Sequence, residues 1–150
     1  MALEEEIRAA EARLGLRLPA SYRAQLLSPV DLPGDEGLVL LPVGEIGRFA
    51  LREPEWLAAW MEGYNSVASS PDPVEPLPDD PDDPATMPVD ELGDTIVIST
   101  TGDMRLLLLN PSRIDDAGEW EAWDFATWYP GAHRYPSFRR LVDALASRGW

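Results

Sequence analysis

Leu3, Ile7, Ala10 and Leu14 recur at the three- and four-residue spacing that gathers side chains onto one helical face, and predict a helix over 3–14. Its glutamates come early and its arginines late, which complements the helix dipole, and Gly15 suits the left-handed residue that ends many helices. A second helix is predicted over 19–28. Pro19 fits a first turn, Leu18 can staple onto Tyr22, the apolar side is Tyr22, Leu26 and Leu27, and Pro29 stops it. Pro54 opens a third helix over 54–65, with Trp56, Leu57, Trp60, Met61 and Tyr64 on one stripe. Phe138, Leu141, Val142 and Leu145 recur at i, i+3, i+4 and i+7, so a last helix is predicted over 137–148 with Ser137 as its cap.

The intervening apolar runs are too short for helices. Residues 37–43 read as a strand that ends near Pro42. Residues 95–101 (Thr-Ile-Val-Ile-Ser-Thr-Thr) are strongly β-prone, Gly102-Asp103 makes a tight turn, and 105–109 (Arg-Leu-Leu-Leu-Leu) return as the partner strand. The apolar density of this pair places it centrally, buried on both faces. Asn110-Pro111 is expected to break the second strand. A further antiparallel strand is predicted over 119–126, with Trp120, Ala122, Asp124 and Ala126 on one face and Trp123 and Phe125 on the other. Together these elements predict an α+β fold: one domain over 1–150, with a mostly antiparallel sheet flanked by N-terminal and C-terminal helices.

Charge alters this picture at one place. The chain carries 27 acids against 12 bases, a net charge of −15, and every base is arginine. No basic residue lies between Arg52 and Arg105, an interval holding thirteen acids: Glu53, Glu55, Glu62, Asp72, Glu75, Asp79, Asp80, Asp82, Asp83, Asp90, Glu91, Asp94 and Asp103. Within it, residues 69–91 are rich in proline and acid and poor in apolar side chains. They are expected to form a long acidic insertion, ordered only when bound. So large an acidic surplus repels phosphate backbones and suits a basic protein partner, so no direct contact with nucleic acid is expected. The chain has no stretch of about 18 apolar residues, so no membrane contact is expected. The glutamates at 4–6 do not resemble the basic start of a secretory signal, and a cytoplasmic location is expected.

Candidate chemistry is sparse. The chain has no cysteine, which removes disulfides, thiolate metal ligands and cysteine nucleophiles. The one histidine, His133, lacks an accompanying serine or cysteine motif and reads as a loop or surface residue rather than a general base. Asp79-Asp80-Pro81-Asp82-Asp83 lacks the alternating ligands and central glycine of a calcium loop. Asp115-Asp116 before Gly118 reads as turn chemistry. No metal, no cofactor and no catalytic residue is expected. A metal-dependent hydrolase built on Asp94, Asp103 and Asp124 is the weakest of the functional alternatives. Of the six tryptophans, Trp56, Trp60 and Trp123 are assigned to the core, while Trp120 and Trp128 are the candidates for exposure.

The opening Ile7-x-x-x-Glu11-x-x-Leu14-Gly15-x-x-Leu18-Pro19-x-x-Tyr22-x-x-x-Leu26 resembles the N-terminal signature of the SUKH superfamily, which includes the fungal cell-wall-assembly regulator and many bacterial toxin-immunity proteins. The Gly93-Asp94 approach to a hairpin and the closing Ser137-Phe138-x-x-Leu141-x-x-x-Leu145 helix are similar to the same family. The resemblance implies a mixed sheet flanked by helices, no enzymatic activity, and in bacteria the cytosolic neutralisation of a toxin domain, often a nuclease. The expected function is therefore a protein-binding module of the immunity type facing a basic toxin domain, with a regulatory adaptor of the same fold as the alternative. The candidate partner-binding residues are Asp72, Glu75, Asp79, Asp80, Asp82, Asp83, Asp90, Glu91, Trp120 and Trp128.

Overall fold

The computed structural model describes residues 3–28, 39–68, 88–100, 105–126 and 132–148. Among these the chain is α+β, with α1 (Glu4–Leu14), α2 (Ala20–Leu27), β1 (Val39–Leu40), a 3-10 turn (Val43–Glu45), β2 (Gly47–Arg48), α3 (Phe49–Arg52), α4 (Pro54–Ala68), α5 (Val89–Leu92), β3 (Ile96–Val97), β4 (Ser99–Thr100), β5 (Arg105–Ile114), β6 (Trp120–Ala126), β7 (Ala132–Tyr135) and α6 (Phe138–Arg148). Five strands form one sheet in the order β2-β3-β5-β6-β7, antiparallel throughout, and β1 pairs with β4 in a separate two-stranded ladder.

The register sorts the side chains. Leu108 stands opposite Trp123, Leu106 opposite Phe125 and Ala132 opposite Phe125, so these share one sheet face. That face meets α3 and α4: the Phe125 ring lies 5.6 Å from Phe49, 4.8 Å from Trp56 and 5.6 Å from Trp60. Leu107, Leu109, Ala122, Asp124 and Arg48 point the other way, where Arg48 Nη2 donates to the Leu14 carbonyl of α1 at 3.2 Å. On that side α2 and α6 join through a T-shaped Tyr22–Phe138 ring pair, centroids 5.5 Å apart. The sheet is thus covered on both faces, and β6 is buried along its length apart from half-buried Glu121.

The helices follow the predicted stripes, except that Leu27 of α2, expected on the buried face with Tyr22 and Leu26, is 36% exposed. Ile7, Ala10 and Leu14 of α1 are buried, and Gly15 takes the left-handed conformation at φ 69°. Leu3 lies outside the stripe, 57% exposed, and its N–H is held by Glu6 Oε1 at 3.0 Å. α6 buries Phe138, Leu141 and Leu145, each contributing roughly 1.5–3 kcal/mol of apolar burial. Ser137 caps α6 as predicted, its Oγ accepting the Arg140 N–H at 3.2 Å.

α2 starts one residue later than predicted, because Pro19 precedes its first turn and offers no side-chain cap. The N–H groups of Ser21, in the first turn, and of Leu18, just before the helix, are satisfied from a distance instead. Glu119, beyond the β5–β6 turn, accepts both the Ser21 N–H at 2.9 Å and the Ser21 hydroxyl. Glu11 of α1 accepts the Leu18 N–H at 2.8 Å. Those carboxylates also sit at the positive end of the helix dipole.

The strands depart further from expectation. Residues 95–101 do not form one strand. Ile96 and Val97 pair with Leu109 and Leu108 in the predicted antiparallel sense, but after Ile98 the chain turns to pair with β1. The Ser99 hydroxyl replaces a strand carbonyl by accepting the Leu107 N–H at 2.8 Å, so β5 keeps its hydrogen bond while its neighbour leaves the sheet. The predicted Gly102-Asp103 turn lies outside the described residues. Of the predicted 37–43 strand, residues 37 and 38 lie outside the described residues; Val39–Leu40 is strand, and the Leu41 N–H continues it by donating to the Ile98 carbonyl at 2.9 Å.

Asn110-Pro111 does not end β5. The strand runs to Ile114, and its register against β6 shifts between Asn110 and Ile114. A bulge tolerates a residue without an N–H, and Asn110 Oδ1 accepts the Ser112 N–H at 3.0 Å to close it. β7, α3 and α5 were not expected. His133, assigned to a loop, is a half-buried residue of β7 in register with Asp124. Residues 89–92, counted in the acidic loop, are helical, closed by Thr95 Oγ1 donating to the Leu92 carbonyl at 2.7 Å.

Candidate partner-binding surface

Short α3, long α4 and short α5 together form one plate over the Phe125 face. Residues beside α5 are stapled to α3: the Phe49 N–H donates to the Thr95 carbonyl at 2.8 Å and the Ala50 N–H to the Gly93 carbonyl at 3.1 Å. α4 closes against the same turn, and a Cβ at Gly93 would stand 3.2 Å from Leu57 Cδ2. A side chain there would require Leu57 to give way by a few tenths of an ångström. In α4, Trp56, Leu57, Trp60 and Met61 turn inward, half-buried, which leaves Glu55, Ala58, Ala59 and Glu62 on the outside. Asp90 and Asp94 are exposed at the α5 end, and Leu51 of α3 is 79% exposed. Leu51 was missed in the sequence, although an apolar residue between alanine and arginine ahead of Pro54 carries the signal of a short turn that cannot bury all its faces.

The plate's outer charge is acidic by balance: Glu55, Glu62, Asp90 and Asp94 are exposed on it against one exposed arginine, Arg52. Arg52 Nη1 donates to the Glu45 carbonyl at 2.6 Å. Arg113 grips Glu91 through two parallel bonds, Nε to Oε1 at 2.9 Å and Nη2 to Oε2 at 3.0 Å. Asn110 Nδ2 adds a third at 3.0 Å. Glu91, a predicted partner-binding acid, is therefore half-buried and committed to the sheet, whereas Asp90 remains exposed.

Burial by itself would raise the Glu91 carboxyl. The hydrogen bonds from Arg113 and Asn110 and the charges of Arg113 and Arg134 outweigh it, so the group sits below its ordinary value of 4.5. A depressed carboxyl stabilises the folded state above the unfolded-state value, and that stability is lost as pH falls through the folded one. Urea midpoints measured from pH 7 to pH 3 are expected to fall less steeply for Glu91→Gln than for the wild type below pH 4.5. Parallel curves would remove the anchoring role given to this carboxylate.

Trp120 corrects the sequence reading. It is 2% exposed, because it starts β6 on the sheet face that carries Ala122 and belongs to the hydrophobic core there. Asp72, Glu75, Asp79, Asp80, Asp82, Asp83 and Trp128 lie outside the described residues, as do Asp103 and the Asp79–Asp83 run. Of the carboxylates considered for a hydrolase, Asp94 is exposed while Asp124 is fully buried and paired with Arg105, so the structure does not bring these two together. Among the described residues no group of three or more His, Asp or Glu side chains could hold a metal ion, and no helix is long and apolar enough to cross a membrane. Asp115 is a turn residue as expected, its Oδ1 accepting the Ala117 and Glu119 N–H groups, both at 2.9 Å.

Two further features were invisible in the sequence. Arg105 and Asp124 form a bidentate pair with no solvent exposure, at 2.9 and 3.0 Å. An open groove of about 690 Å³ runs between α2 and the β5–β6 turn, lined by Arg17, Leu27, Ile114 and Trp120 among others. No family model, curated protein or solved structure matches the chain.

Proposed function

We propose that this protein is a non-enzymatic binding module of the immunity type, which receives the cationic surface of a basic toxin domain such as a nuclease. The observation that carries this reading is the division of charge. Arg113 is paired with Glu91 and Arg52 is the one exposed arginine of the α3–α5 plate, while Glu55, Glu62, Asp90 and Asp94 face solvent on the same elements as exposed Leu51 or beside them. The acidic stretch at 72–83 enters between α4 and α5 in sequence and adds to the same sign of charge. The resemblance of the N-terminal pattern to the SUKH superfamily supports the same reading.

Complementary charge of this kind accelerates encounter and rejects wrong partners, with an exposed apolar residue supplying short-range contact. Co-expression with a basic toxin domain encoded beside it is expected to restore growth, and calorimetry to give a one-to-one complex. Replacing Glu55, Glu62 and Asp94 together by lysine is expected to weaken that complex at least tenfold, about 1.4 kcal/mol, mostly through slower association. The wild-type affinity is expected to fall as ionic strength rises from about 0.05 to about 0.5 M. An affinity unmoved by either change, or a cell unprotected by the protein, would refute the proposal.

A further inference from the structure

The groove beside α2 lies on the opposite face of the sheet from the acidic plate, and its chemistry has the opposite sign. Leu27 and Ile114, 36% and 54% exposed, are two of the five large apolar side chains exposed among the described residues, and both line this groove. Leu18 and Trp120, 4% and 2% exposed, make its floor. Its ionisable lining is Arg17 and Arg23, with no carboxylate.

The two arginines differ in what they have left to give. Arg23 directs Nη1 to both oxygens of Glu11, at 3.3 and 3.2 Å, and Nη2 to Glu4. Arg17 is exposed, and among the described residues no carboxylate lies within ion-pair distance of it. Two carboxylates near the rim accept local hydrogen bonds: Glu119 holds Ser21, and Asp115, itself exposed, holds the N–H groups of its own turn. Asp116 remains exposed in that turn but does not line the groove.

We infer that this groove is a second interaction surface, which binds a short partner segment pairing apolar side chains with a carboxylate set against Arg17. Leu27 and Ile114 grip the apolar side chains, and the guanidinium offers the forked donors that match a carboxylate. A second copy of this chain is disfavoured as the occupant, because two molecules of net charge −15 repel each other. This inference is independent of the acidic plate, since it concerns another face and a partner group of the other charge.

The test is an amide chemical-shift titration of the full chain with three capped hexapeptides that alternate leucine with glutamate, glutamine or lysine. The glutamate peptide is expected to move the Ala117 and Gly118 amides and the Trp120 indole with a Kd of about 1 mM or below. At these groove signals the glutamine peptide is expected to bind about fivefold more weakly, and the lysine peptide not to saturate. Arg17→Gln removes the advantage of glutamate over glutamine, and Ile114→Ser weakens both; each replaces an exposed side chain, so the fold is retained. Three results would overturn the inference: equal shifts from the glutamate and lysine peptides, shifts confined to other surfaces, or no shift at millimolar peptide. Concentration-dependent shifts of the groove without peptide would overturn it in favour of self-association.

Discussion

Asp124→Ala is expected to lower the free energy of unfolding by about 3–5 kcal/mol, measured by urea denaturation at pH 7. Asp124 and Arg105 project from β6 and β5 onto the same sheet face, one diagonal step apart in the register, and neither side chain reaches solvent. Removing the carboxylate strips a buried guanidinium of its bidentate partner, at 2.9 and 3.0 Å, without returning the guanidinium to water. The loss therefore exceeds what the pair contributes net of its own desolvation. The joint replacement Arg105→Leu with Asp124→Leu separates the two quantities. It removes both charges, keeps apolar volume at the site, and is expected to recover most of the loss. A single variant within about 1 kcal/mol of wild type would show that water or a rearranged neighbour reaches the charge, contrary to its full burial.

Phe125→Ala is the second large effect, again about 3–5 kcal/mol. Phe125 joins the sheet to the plate, with ring contacts to Phe49, Trp56 and Trp60 at 5.6, 4.8 and 5.6 Å. Its removal leaves a cavity bounded by a strand, which cannot move without breaking its ladders, and by aromatic rings that can relax only partly. Phe125→Leu keeps most of the volume and is expected to cost less than half as much. Tryptophan emission gives an independent reading, because Trp56 and Trp60 lose a packing partner and gain water. If the alanine variant kept wild-type stability and emission, α3 and α4 would not be fastened to the sheet through this ring, and the plate would lose its structural basis.

Much of the fold was legible because it depends on local period. Three- and four-residue spacing located α1, α4 and α6, and the alternation of 119–126 correctly sorted Trp123 and Phe125 from Ala122 and Asp124. The pairing of 96–97 with 108–109 was legible for the same reason. The four-residue elements α3, α5 and β7 were not, since they are too short for a period and are fixed by their neighbours. Burial was misjudged where it depends on the third dimension. Trp120 stands near a turn in sequence, yet its side chain belongs to the hydrophobic core. Glu91 belongs to an acidic run in sequence, yet Arg113 and Asn110 draw it to the sheet.

The sequence by itself determined the α+β class, the main helical faces, the turn chemistry of Gly15 and Asp115, and a surplus of negative charge concentrated between Arg52 and Arg105. These follow from backbone sterics, residue spacing and composition, which act within a turn or two of chain. Only the tertiary structure decided which charges are spent and which remain available. Glu119 caps α2 from 98 residues away, Arg113 neutralises Glu91 from 22 away, and Arg17 is left facing an apolar groove. Pairing of this kind depends on distances of about 3 Å between side chains, and packing alone brings such distant residues that close.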